Sequence, residues 1–325
     1  MNSTRCFQAT DAKPGERPLL IGLVSPSGGG KTYSALELGT GIVKVFGGDL
    51  YVIDTESNRA LHYADRFKFK HVPFTPPFGP LDYMAAIDYC IGQGARCIVI
   101  DSMTHEHTGE GGVLWQSEQA LDKWCVDPHT GEYNEGKRNA NLARSFIVPK
   151  RQRKQLNEYI IQQGTKCAFI FCYRAHEKLD FKRKENNQPR DMGLQPETTS
   201  PLMYEMTQQF LLTTGCDGVP ILRSSIPDEN RIIKAPLQFR DWFQPGVRLS
   251  AEIGERFALW ARGDSGAGNT APVDVNALQA SLGRCTSIKE LQAAWVVVCK
   301  AKAALSDADL AMLEAFKDEK KEALK

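Results

Sequence analysis

The sequence predicts an α/β fold, a mainly parallel sheet with helices on both faces, carrying a small helical appendage at its C-terminal end. Three observations predict it. Short apolar runs alternate with stretches of helical spacing from Leu19 to Arg262. The runs are apolar at successive positions, as in LYVID (Leu50–Asp54) and RCIVID (Arg96–Asp101), which suits strands buried on both faces. Both runs end in an acid, Asp54 and Asp101, at the strand edge where open α/β sheets place their chemistry. The expected organisation is a flexible lead-in over 1–18, a core over 19–262, a linker over 263–272 and a helical region over 273–325.

Taken in order, Leu19–Val24 reads as a strand and Lys31–Phe46 as a helix, followed by the strand Leu50–Asp54. A Pro-rich loop (Pro73 to Pro80) precedes a one-faced apolar helix over Leu81–Gln93 and the strand Arg96–Asp101. Helices are expected over Gly112–Trp124 and within Ser145–Gln163, separated by an irregular segment with Pro128, Gly131 and Gly136. Thr165–Tyr173 is a fourth strand, followed by a polar stretch to Pro201. The short runs Gln209–Thr213, Val219–Ser224, Arg231–Lys234 and Leu237–Phe243 predict an antiparallel extension of the sheet. Ser250–Arg262 is helical, GDSGAGNTAP (263–272) has linker composition, and Ile288–Lys302 and Ala308–Leu324 are amphipathic helices.

The 325 residues are enough to bury a full core. A net charge of +1 excludes a uniformly basic coat, so nucleic-acid contact must come from local clusters. The 9 cysteines are scattered without a C-x-x-C pair, and several sit in apolar runs, as free thiols do in a reducing cytoplasm. No apolar run is long enough to cross a bilayer, so no membrane partner is expected.

Between the first strand and first helix lies SPSGGGKT, Ser25 to Thr32. It departs from G-x-x-x-x-G-K-[ST] only at its first position, where Ser25 is small enough to turn. Such a loop cradles phosphates with the backbone N–H groups of Ser27, Gly28, Gly29, Gly30, Lys31, Thr32 and Tyr33. Lys31 then reaches the β- and γ-phosphates and the Thr32 hydroxyl ligates Mg²⁺, so the cofactors implied are ATP and Mg²⁺. Asp101, at the tip of its strand, suits a second Mg²⁺ contact through a water; a plain strand-end turn acid is the alternative. Glu56 by itself reads as an exposed loop acid.

The ordered set, phosphate loop, Asp54-Thr55-Glu56, the hydrophobic run into Asp101-Ser102, and Pro196-Glu197-Thr198-Thr199, resembles RecA-core ATPases over about Leu19 to Thr213. It is most similar to the compact bacteriophage members that act in recombination and single-strand annealing. The resemblance implies that Glu56 orients and deprotonates the attacking water, that the loop ending in P-E-T-T binds DNA, and that subunits form rings or filaments. The family's polar pair after the fourth strand is here Tyr173-Arg174, with His176 near. Arg174 either donates to the γ-phosphate or pairs with a neighbouring acid. Arg223, Arg231 and Lys234, expected on strands after the loop, are candidates for a residue reaching into a neighbour's nucleotide site.

Seven basic residues and no acid lie between Gly136 and Lys154: Lys137, Arg138, Arg144, Lys150, Arg151, Arg153 and Lys154. Lys178, Lys182, Arg183, Lys184 and Arg190 form a second cluster in the loop that resembles the recombinase DNA loop. Both are candidate contacts for single-stranded DNA, with Trp124, Tyr133 and Phe181 near enough in sequence to stack on bases. Each also reads as a solvated charged face, and Lys154 with Glu158 as an i, i+4 pair. His105, His107, Cys125 and His129 have the look of zinc ligands, but the spacing matches no standard structural set. The C-terminal helices, with Leu291, Trp295, Val298 and Cys299 at helical spacing, suggest a small bundle or a protein-partner groove. Two other functions fit the same features: a nucleotide-gated loader with little turnover, and a small-molecule phosphotransferase using the 178–190 loop as a lid.

Overall fold

A computed structural model describes residue 15 and residues 17–185, 188–243, 246–264, 275–283, 285, 287–301 and 307–324. Most of the expected lead-in and linker lies outside the described residues. The chain divides into two units, one ending at Gly263 and one beginning at Asp264.

The first unit opens with β1 (Leu20–Ser25) and α1 (Lys31–Phe46), then β2 (Asp49–Asp54), β3 (Lys70–Pro73), α2 (Pro80–Gly92) and β4 (Ala95–Asp101). A single-turn α3 (His105–Thr108) leads into α4 (Val113–Cys125), α5 (Glu135–Ser145) and α6 (Ile147–Gln163). There follow β5 (Ala168–Glu185), β6 (Gln188–Pro196), a short α7 (Leu202–Glu205), β7 (Gln208–Leu211) and α8 (Ala251–Arg262). The sheet has seven strands in the order β3-β2-β4-β5-β1-β7, all parallel, with β6 pairing antiparallel to the outer part of β5. The α/β class with helices on both sides of a mostly parallel sheet is therefore as expected.

Alternation along each strand builds two cores. Ile21, Leu23, Ile170 and Cys172 face one way, onto a layer built from α1 and α8. Leu20, Val24, Phe169 and Phe171 face the other, with Ile87 of α2 and Leu156 and Ile160 of α6. Each fully buried aliphatic side chain contributes roughly 1.5–3 kcal/mol. Six described cysteines are buried as free thiols.

The helices α1 and α8 approach through glycine. A Cβ on Gly41 would lie 1.8 Å from the Ala251 carbonyl oxygen, and one on Gly254 would lie 2.1 Å from that of Leu38. Side chains there would force the backbones apart.

Three expectations are corrected. The antiparallel extension after β7 is absent: Ile221 makes one bridge to Leu211, Arg231 ends a short 3₁₀ turn (Glu229–Arg231) with irregular chain up to Lys234, and Leu237–Trp242 is a 3₁₀ helix. Pro220, Pro227 and Pro236 interrupt any ladder there, while Phe239 and Trp242 pack against Phe257 of α8. The polar stretch after Tyr173 is instead a hairpin, because β5 continues to Glu185 and pairs back with β6. The irregular segment before α6 contains α5, whose first turn is capped by the Asn134 side chain accepting from Lys137 N–H.

In the second unit, α9 (Val275–Gly283), α10 (Ile288–Ala301) and α11 (Asp307–Ala323) enclose Leu282, Leu291, Val298 and Leu313. This is a small bundle with its own core. Among the described residues no helix is long and apolar enough to cross a membrane.

Replacing Gly254 with Val is expected to cost about 3 kcal/mol or more through overpacking at the α1–α8 crossing. Urea unfolding should show a lower midpoint, whereas Gly92→Ala, at a helical position where an added Cβ meets nothing, should leave it unchanged or slightly raised.

Candidate active site

Four parallel strands deliver their C-terminal residues to one cleft. Register pairs Ser25 with Arg174, Asp54 with Asp101, and Asp101 with Cys172. The cleft, of about 500 Å³, is lined by Ser27 to Thr32, Glu56, Arg59, His62, Tyr63, Asp101, Arg174, Ala175 and Glu197. A second hollow of about 360 Å³ shares Gly28 to Gly30 and Tyr63 and adds Tyr33, Asp217 and Arg248. Tyr33 packs edge-on against Tyr63 and Phe67 and lies under the Arg66 guanidinium.

The loop's shape depends on its glycines. Gly28 (φ 78°) and Gly30 (φ 81°) are left-handed, and the N-terminal amides of α1 have no side-chain cap. A Cβ on Gly29 would sit 1.8 Å from Ser25 Oγ, so the missing side chain at 29 makes room for the serine at the motif's first position. Ser25 Oγ donates to Pro26 O, and Lys31 Nζ donates to Ser25 O and Pro26 O across the loop.

Thr32 Oγ1 donates to Asp101 Oδ2 at 2.5 Å. Burial pushes the Asp101 carboxyl up, partly offset by that hydrogen bond. A hydroxyl and a buried carboxylate are hard oxygen donors, and Mg²⁺ takes one or two protein oxygens beside substrate phosphates and waters. The pair therefore fits Mg²⁺.

Glu56 is not the exposed loop acid its context suggested: its side chain is 8 % exposed. Asp54 builds the loop that carries it, accepting from the N–H groups of Glu56 (2.8 Å) and Ala60 (3.0 Å), with His71 Nε2 at 3.1 Å. Ser57 (φ 56°) and Asn58 (φ 66°) are held left-handed between these bonds, a local strain the anchored ends enforce. Arg174 takes the second of its two sequence readings. Its Nε and Nη2 lie 2.9 and 2.7 Å from Glu56 Oε1. Arg59 Nη1 donates to Oε2 at 3.1 Å. Burial pushes the Glu56 carboxyl up, but the two guanidiniums outweigh it and leave it below the usual range. Arg59 went unremarked in the sequence, although its i+3 spacing from Glu56 could have flagged it.

The P-E-T-T segment meets the cleft at Glu197 and is tied behind it at Thr199. Glu197 lines it and donates its N–H to Arg174 O, while Thr199 Oγ1 accepts from Arg153 Nη1. Arg153 is thereby removed from the DNA candidates: its side chain is 5 % exposed and grips Glu106 in a bidentate ion pair. An unpaired Glu106 carboxylate would be costly at that depth, which is why the arginine is inside.

The other basic candidates divide. Lys137, Lys150, Arg151 and Lys178 are exposed, Lys150 above the Phe146 ring. Arg138 is bound to Glu118, Arg144 lies over Trp124, and Lys154 faces Glu158 at 3.7 Å. Arg190 does not extend as a free DNA contact, because Asp228 holds it at 2.7 Å; the same acid takes Arg231 at 3.0 Å. Lys182, Arg183 and Lys184 lie on β5, but their side chains are outside the described residues. Phe181 is well exposed on the same strand. The trans-acting candidates are not on strands: Arg223 is exposed in a bend, Arg231 is paired, and Lys234 donates to the Tyr204 and Met206 carbonyls. His105 and His107 diverge, one 2.7 Å from Thr55 Oγ1 and the other 3.0 Å from Arg153 Nη2. Among the described residues no three or more His, Cys, Asp or Glu gather as metal ligands.

Burial and then the Arg153 charge push His107 down to about 4 from its ordinary 6.5. The unfolded chain then binds the proton first, so this histidine's share of stability is intact above pH 6.5 and lost towards pH 4. Denaturation across that range should be less pH-dependent in His107→Gln; an unchanged slope would contradict the assignment.

No protein-family model and no curated protein matches the chain.

Proposed function

We propose that the chain is a RecA-type P-loop ATPase, similar to the bacteriophage recombination and annealing group, that binds MgATP and acts on single-stranded DNA. The observation that carries this reading is the convergence, in one cleft, of a glycine loop at a helix N-terminus, the Thr32–Asp101 pair and the buried Glu56. A phosphate loop alone is common; one whose strand neighbours deliver a metal-suited acid and a shielded carboxylate is far more restrictive.

Backbone N–H groups of Ser27 to Tyr33 and the Lys31 ammonium bind the β- and γ-phosphates. Thr32, and Asp101 through a water, would hold Mg²⁺, which would supply neutralisation of the phosphate charge. Glu56 holds the attacking water and accepts its proton as the water oxygen bonds to the γ-phosphorus and the bond to the β-phosphate oxygen breaks. Phosphotransfer to a small molecule would need an acceptor site over this cleft. In the 178–190 segment β5 and β6 instead pair antiparallel, with Lys178 and Phe181 exposed on β5, which favours a polyanionic strand as partner. Subunits arranged as rings or filaments in the host cytoplasm, and a protein partner at the C-terminal helices, complete the proposal.

Turnover of wild type, Lys31→Ala and Glu56→Gln should be measured across a titration of single- and double-stranded DNA. Both variants should lose turnover, with nucleotide binding kept only by Glu56→Gln. Protection of a labelled single-stranded oligonucleotide should fall steeply with salt and weaken several-fold in Lys178→Glu. A wild-type chain that binds neither nucleotide nor oligonucleotide would refute the reading.

A further inference from the structure

Both oxygens of Glu56 are taken. Oε1 accepts from Arg174 Nε at 2.9 Å, with Nη2 of the same guanidinium in ion-pair contact at 2.7 Å, and Oε2 accepts from Arg59 Nη1 at 3.1 Å. With a guanidinium on each oxygen, a water must compete with two cations for this carboxylate. The guanidiniums differ from the acid in access: the Arg174 and Arg59 side chains are 42 % and 61 % exposed, against 8 % for Glu56. Both arginines line the same cleft as Lys31 and Thr32, so both can turn from the carboxylate towards a phosphate without crossing the core.

We propose that Arg59 and Arg174 form a latch in cis: they hold Glu56 until the terminal phosphate of a nucleoside triphosphate draws both away, freeing the carboxylate to take a water. The inference rests on the nucleotide reading above and adds its regulation. A terminal phosphate carries more charge than a carboxylate and offers guanidiniums the same forked acceptor geometry, so it competes for both. A diphosphate leaves that position vacant and the latch closed. Once released, Glu56 keeps its burial and loses its two cations, which raises its proton affinity and makes it a better base than in the latched state. The backbone can stay fixed during the exchange, because Asp54 pins the N–H groups of Glu56 and Ala60 on either side. The chain thus carries two cations of its own at the phosphate position, while Arg231 and Lys234, two of the three candidates for donation to a neighbour, are engaged within the subunit.

The test is equilibrium binding of ADP and of a slowly hydrolysed ATP analogue to full-length wild type, Glu56→Gln and Arg59→Ala, with Mg²⁺ present. Glu56→Gln removes the competing charge and should tighten the triphosphate at least five-fold while leaving ADP unchanged. Arg59→Ala should weaken the triphosphate at least five-fold, again sparing ADP. Because Arg59 is largely exposed and glutamine has glutamate's shape, both variants should fold, which circular dichroism checks. Shifts that are absent, or equal for the two nucleotides, overturn the latch while the nucleotide reading stands. A wild type that binds neither nucleotide removes both. Mixing Lys31→Ala with Arg174→Ala chains separates cis from trans supply: the mixture should turn over no faster than the separate variants, and recovery clearly above them would overturn supply in cis.

Discussion

The parallel register of β1, β2, β4 and β5 is the constraint on which the rest depends. It sets Ser25 beside Arg174 and Asp54 beside Asp101, so residues distant in sequence share one edge. Main-chain bonds extend the register beyond the strands: Thr55 N–H donates to Asp101 O, Phe74 N–H to Asp54 O and Met103 N–H to Cys172 O. A one-residue slip would turn each acid to the opposite face of the sheet. The apolar layers on both faces oppose any such slip, because every strand would have to exchange its two cores at once.

Charges around this edge are arranged so that each buried acid has an assigned partner. Asp54 is spent on backbone N–H groups and His71, Asp101 on Thr32, Glu56 on two guanidiniums and Glu106 on Arg153. These differ in how readily they can be exchanged. The Arg153–Glu106 pair is closed off and ties α6 to α3 and to Thr199, which suits a fixed frame. The Glu56 pairs open onto the cleft, where an incoming anion can compete for the cations. The pair behind the P-E-T-T segment is closed to solvent, and the arginines paired to Glu56 are accessible from the cleft.

The hairpin of β5 and β6 extends this logic outward. Arg174 is the point where β5 leaves the sheet, and the N–H of Glu197, just beyond β6, returns to its carbonyl. Whatever moves the Arg174 side chain acts at the root of a strand carrying Lys178 and the exposed Phe181. Short mechanical distance, not a long relay, would couple the cleft to a bound strand.

Much was legible in the chain because it is local. The helix over Lys31–Phe46 matches its expected bounds, and the buried strands announced themselves as continuous apolar runs, since a strand covered on both faces has no polar side. The glycine loop and Thr32 could be picked out by short spacing and Asp101 by its place at a strand tip, but that Thr32 and Asp101 meet, 69 positions apart, was decided by the fold. The hairpin after Tyr173 was not legible, because its pairing is satisfied by main-chain bonds and buries no continuous apolar face. Nor was the fate of individual charges. Arg153 and Arg151 look alike in sequence, yet one turns inward to Glu106 and the other to solvent, a choice set by an acid 47 positions away. Arg174 was undecided for the same reason, its partner lying 118 residues off in the loop after β2. Residue types and spacing determined which groups this protein possesses; only tertiary packing decided which of them meet, because burial makes a charge take the partner that the fold brings within reach.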